Sequence, residues 1–213
     1  MDDAECISRL LERLSVSENK HSINITKQTT LKDAHMYCVI HNISSQQSGT
    51  LLEKYIICKF NFQKHSASAC MGDASREGKN WEIKTSLGGS THSKFNFVQI
   101  RLSHNIDYYL FTCYHLTKQN ANIKGELYIF RVPKEDMGTL ITSYGNYAHG
   151  TIKKFGKITA ESLNNSDREY AIRPKYGDRC WKALLPFRIT DLADSQQEEV
   201  PDSNIISPIH HDQ

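Results

Sequence analysis

Apolar residues recur along this chain with two different periods, and the change of period divides it into elements. Ile7, Leu10, Leu11 and Leu14 fall at helical spacing behind two acids, which predicts an amphipathic helix over residues 3–14. Residues 17–33 are polar and read as loop or edge structure, and residues 35–41 form a short apolar run that fits either helix or strand. Beyond the SSQQSG breaker, residues 50–60 predict a core helix with Thr50 as its N-cap. At 100° per residue, Glu53 shares a face of that helix with Ile57 and Phe60, not with Lys54 or Lys59.

The middle of the chain is rich in β-branched and aromatic residues. Residues 81–87, 107–116 and 125–132 predict strands, bounded by Gly- and Asn-rich turns. Residues 95–102 predict a short helix, and residues 133–144 a second one that opens on Pro and acids and stops at Gly145. Residues 147–157 read as a basic loop and residues 169–189 as further strand. The expected fold class is α/β or α+β, a central mixed β-sheet flanked by helices. Residues 1–190 are expected to form one domain, and residues 191–213 a polar, acidic tail.

Composition narrows the class. With 213 residues, 38% hydrophobic and 23% charged, the chain can build a full core without cross-links. No apolar run approaches the ~18 to 20 residues needed to cross a bilayer. The start, MDDAECISRL, is acidic where a secretory signal is basic, so the protein is expected in the cytoplasm, away from membranes. Six cysteines without a Cys-x-x-Cys pair suggest reduced thiols and argue against a zinc set drawn from cysteines and histidines. The net charge of +2 is too small to announce nucleic-acid binding, which must rest on where the charges sit.

One cluster is organised for chemistry. Acid-x-Lys triplets occur three times, at Glu18, Glu77 and Glu82, but only Glu82-Ile83-Lys84 falls within a predicted strand. Alternation puts Glu82 and Lys84 on one face, roughly 6 to 7 Å apart, with Trp81 and Ile83 on the other. Asp73, across the turn at residues 76–80, can return beside Glu82. Two carboxylates so placed repel unless a cation lies between them, and hard oxygen donors favour Mg²⁺, with the Ile83 carbonyl as a further ligand. Phosphodiester hydrolysis uses such a set, the lysine steadying developing charge or orienting water. A surface hairpin with a weak Glu82–Lys84 pair, worth no more than ~1 kcal/mol, accounts for the same residues. Glu53 is either a solvated helical acid or a third member of the site.

The order of elements, from an acid-bearing helix through a Gly-Asp hairpin and a Glu-Ile-Lys strand to a Pro-Lys-Glu-Asp helix, resembles the type II restriction endonucleases of the Pro-Asp…(Asp/Glu)-x-Lys superfamily. The likeness is to the PvuII-like branch, over residues 72–144. It implies that Asp73 and Glu82 hold Mg²⁺, that Lys84 serves catalysis, and that a homodimer cuts both strands of double-stranded DNA at a short palindrome, leaving 5′-phosphate ends. The branch follows its catalytic strand with a Ser-Thr-His tract, ending in Asn, that reads bases. Here Ser90, Thr91, His92, Ser93, Lys94 and Asn96 occupy that tract, with Ser93 and Lys94 replacing histidines and Gly72 replacing the superfamily's Pro.

Side-chain chemistry agrees with that role, because Asn pairs bidentately with adenine, and Lys or charged His donates to guanine. His149, Thr151, Lys153 and Lys154 form one basic cluster suited to backbone phosphates, and Arg173 with Lys175 forms another. Either cluster also reads as solvated surface. Two other functions fit the same residues: a structure-directed repair or recombination nuclease, and a DNA-binding protein without catalysis.

Overall fold

The computed structural model describes residues 30–66, 68–88, 94–116, 125–190 and 192. The helix expected over residues 3–14 and the tract residues Ser90, Thr91, His92 and Ser93 lie outside these.

Helix α1 (Leu31–Ile40) opens on a reciprocal capping box. The Asp33 N–H donates to Thr30 Oγ1 at 3.1 Å, and the Thr30 N–H donates to Asp33 Oδ2 at 2.9 Å. The polar stretch read as loop therefore turns helical at Leu31, and the ambiguous run at residues 35–41 lies within a helix. Helix α2 (Ser45–Lys59) begins five residues before the expected start, with Ser44 as its N-cap. Thr50 caps nothing, its hydroxyl donating back to the Gln46 carbonyl at 3.4 Å. The supposed breaker is helical because Ser48 is buried and Gly49 lies against Thr85 of the sheet.

The remaining elements follow in chain order: β1 (Gln63–Lys64), β2 (Ala74–Arg76), β3 (Lys79–Gly88), β4 (Phe97–Ile100), β5 (Tyr108–His115), β6 (Glu126–Pro133), α3 (Lys134–Tyr144), β7 (Asn146–Tyr147), α4 (Ile152–Phe155), β8 (Tyr170–Ile172), α5 (Arg179–Leu184) and β9 (Arg188–Ile189). A six-stranded sheet has the order β1-β2-β3-β5-β6-β9. Its β3–β5 pair is parallel and its other pairs are antiparallel, so the central sheet is mixed, as expected. A smaller sheet has the order β4-β8-β7.

Two cores lie against the large sheet. On one face Trp81, Ile83, Leu110 and Tyr114 pack with Leu52, Tyr55 and Ile56 of α2 and with α1. On the other, Tyr109, Phe111 and Phe130 pack with β4, β8, α3 and α5. Leu192, from the stretch read as tail, is buried in the first core, and its carbonyl accepts from Arg76. The described cysteines are free thiols, with Cys38, Cys113 and Cys180 buried. Among the described residues no helix is long and apolar enough to cross a membrane.

Two further assignments change. Residues 97–100 form a strand and not a helix. Phe95 and Phe97 point inward by alternation, then a register shift between Phe97 and Ile100 resets the phase so that Ile100 is also buried. Residues 169–189 are strand only at their ends, because the Trp181 N–H donates to Asp178 Oδ1 at 2.8 Å and starts α5.

Candidate active site

The brevity of β2 creates the site. It pairs with β3 only as far as Ala74 opposite Trp81, so beyond that point the β3 edge has no strand beside it among the described residues. A side chain takes over. The Ile83 N–H donates to Asp73 Oδ2 at 2.7 Å, and the Asp73 N–H donates to the Trp81 carbonyl at 2.9 Å. In an extended strand the N–H and C=O of one residue point to the same side, so the Ile83 carbonyl faces this open edge too.

The turn carrying Asp73 is held closely. Gly72 has φ +74°, and a Cβ there would lie 2.5 Å from the Trp81 carbonyl oxygen. Proline, fixed near −65°, cannot adopt that backbone. The His65 N–H donates to the Asp73 carbonyl at 3.0 Å. His65 Nδ1 lies 3.1 Å from the Met71 carbonyl and 3.3 Å from that of Gly72. Both partners only accept, so Nδ1 carries the proton. From the far side, the Asn105 N–H donates to the Cys70 carbonyl at 2.7 Å.

Glu53, Asp73, Glu82 and Lys84 all line one cavity of about 280 Å³. Glu82 and Lys84 leave β3 on the face of Tyr109 and Phe111, their partners in register. Glu82 is 5% exposed, and the Lys84 ammonium donates to its Oε1 at 2.5 Å. Glu53 reaches the cavity from α2 and faces Lys64 at 3.9 Å. Burial pushes the Glu82 carboxyl above its ordinary range; Lys84 opposes the rise and the Asp73 charge adds to it. The Glu53 carboxyl is raised in the same way, by burial first and then by Asp73, against the pull of Lys64 and Lys84.

Among the described residues no three His, Cys, Asp or Glu side chains form a metal-holding group by themselves. The donor set nevertheless fits Mg²⁺, which keeps several waters and takes only one or two carboxylates from a protein. Asp73 and Glu82 each give one oxygen to a protein donor and retain a second, and the Ile83 carbonyl stands at the same edge.

Sequence reasoning missed seven residues of this cavity: Lys64, His65, Gln99, Arg101 and His104, with the small Ser66 and Ala69. Arg101 holds Glu169 at 2.5 Å, and Gln99 lies in the bulge of β4 with φ +58°.

The expected DNA contacts fall into two groups. Lys94 bridges Lys175, the Phe95 N–H donates to the Pro174 carbonyl, and Arg173 Nε donates to Asn96 Oδ1 at 2.9 Å, so the two segments form one exposed patch. The Asn96 N–H donates to Ser86 Oγ, which places this patch one alternate position beyond Lys84 on β3. His149 and Lys154 belong to a separate cavity beyond Gln99, with Thr151 as the N-cap of α4 and Lys153 exposed beside them.

No protein-family model matches the chain, and no curated protein matches it.

Proposed function

We propose that the chain is a Mg²⁺-dependent endonuclease of double-stranded DNA, of the restriction-endonuclease-like fold, acting as a homodimer in the manner of the type II enzymes. The observation that carries this reading is the meeting of Glu53, Asp73, Glu82 and Lys84 in one cavity at the open edge of β3. Asp73, Glu82 and the Ile83 carbonyl are the oxygen donors for Mg²⁺. When bound, that ion supplies charge withdrawal from phosphoryl oxygens and an acidified water.

The chain's own groups do the rest. Lys84, held by Glu82, keeps a cation fixed where charge develops on the phosphoryl group, with its geometry set before substrate arrives. Glu53 lines the cavity with Asp73 and orients water by hydrogen bonding. Arg173 and Asn96 are held to one another beside Lys94 and Lys175, a patch suited to base edges and phosphates on the strand flanking the cut.

The test is plasmid digestion with Mg²⁺ or EDTA, using Asp73→Ala, Glu82→Ala and Lys84→Ala beside wild type. Discrete fragments with uniform 5′-phosphate ends are expected from wild type, and each variant should cut at least about a hundredfold more slowly. Cleavage confined to branched or mismatched DNA would instead favour a structure-directed nuclease. DNA binding with no cleavage, unaltered by Lys84→Ala, would favour a binding protein without catalysis.

A further inference from the structure

A second cavity, about 470 Å³, lies beyond Gln99, and Gln99 lines both cavities. Its backbone is unusual. Gln99 holds φ +58° without being glycine, at the point where the β4–β8 register shifts. A bulge re-aims a side chain, and a left-handed non-glycine residue costs stability, so strain kept between two cavities points to a use.

The far wall of this cavity is cationic and aromatic. The Arg168 guanidinium lies 3.8 Å from the centre of the Phe155 ring, and Lys154 Nζ lies 5.1 Å from it. Gly150, with φ +110°, closes so tightly over that ring that a Cβ would meet it at 2.1 Å, which fixes Phe155 as a platform. The Glu169 carboxylate in the same wall is already committed, to Arg101 at 2.5 Å and to His149 at 3.4 Å. Asp167, the other acid here, is exposed at the rim. Arg168 therefore presents a planar fork, backed by a ring, with geometry that matches phosphate oxygens.

Resting on the nuclease reading, we propose that this cavity is the subsite for the phosphodiester next to the one cleaved. Arg168 binds its phosphate, and Gln99 positions the strand passing between the two cavities. Arg101 ties the sites together, lining the first while holding Glu169 of the second.

Duplex binding in Ca²⁺ across a salt series, with Mg²⁺ cleavage run in parallel, tests this on wild type, Arg168→Gln and Gln99→Gly. Arg168→Gln should raise Kd about tenfold and reduce the slope of log Kd against log salt by about one. Gln99→Gly should melt a few degrees higher, its backbone strain relieved, yet bind duplex more weakly. Should Arg168→Gln melt early, Lys154→Gln at an exposed position repeats the salt series.

If wild type cuts while both variants keep its Kd and slope, the subsite is overturned and the nuclease reading stands. If the variants weaken binding as stated but wild type never cuts, the cavity holds a backbone phosphate with no cleaved bond beside it, and the subsite falls together with the nuclease reading. A wild type that does not bind duplex overturns both.

Discussion

Gly72 shows how one backbone angle can decide a site. Its left-handed φ lets the Asp73 turn approach β3 within bonding distance of Trp81 and Ile83. Gly72→Ala should cost roughly 2 to 4 kcal/mol in urea unfolding, because strain and a backbone clash act together, and the proposed Mg²⁺-dependent cutting should fall with it. Asp73, Glu82 and Lys84 were legible in the sequence because strand alternation fixes which residues share a face. Glu53 was legible as an acid on the apolar face of a helix. Lys64, His65, Gln99, Arg101 and His104 were not, since topology alone brings them to the cavity and no local spacing marks them.

Elements follow the same division. The predicted strands β3, β5 and β6 stand because they are long and rich in aromatic and β-branched residues, and α3 because Pro133 and Gly145 mark its ends. Helix α1 was hidden because residues on most of its sides are buried, which erases the period of an amphipathic helix. Strand β4 was hidden by its bulge. The capping box on α1 carries its own prediction: Thr30→Ala removes one half of a reciprocal pair and should cost about 1 kcal/mol, measurable as a lower urea midpoint with unchanged m-value.

For the whole molecule, two cores pressed on one sheet leave His35 sealed between α1 and β5. Its Nε2 lies 3.2 Å from Thr112 Oγ1, and burial pulls its pKa down to about 3. An unfolded imidazole titrates near 6.5. Below that pH the unfolded chain takes up a proton that the folded chain refuses until about 3, so stability is full above 6.5 and declines steadily between the two values. Urea melts of wild type at pH 7 and pH 5 should differ by about 2 kcal/mol more than those of His35→Gln. The Arg101–Glu169 pair has another consequence, since its partners stand 68 residues apart in sequence. During synthesis the acids and lysine of the carboxylate cavity leave the ribosome long before Glu169, so a nascent chain carries these groups before the wall that joins them to the neighbouring cavity.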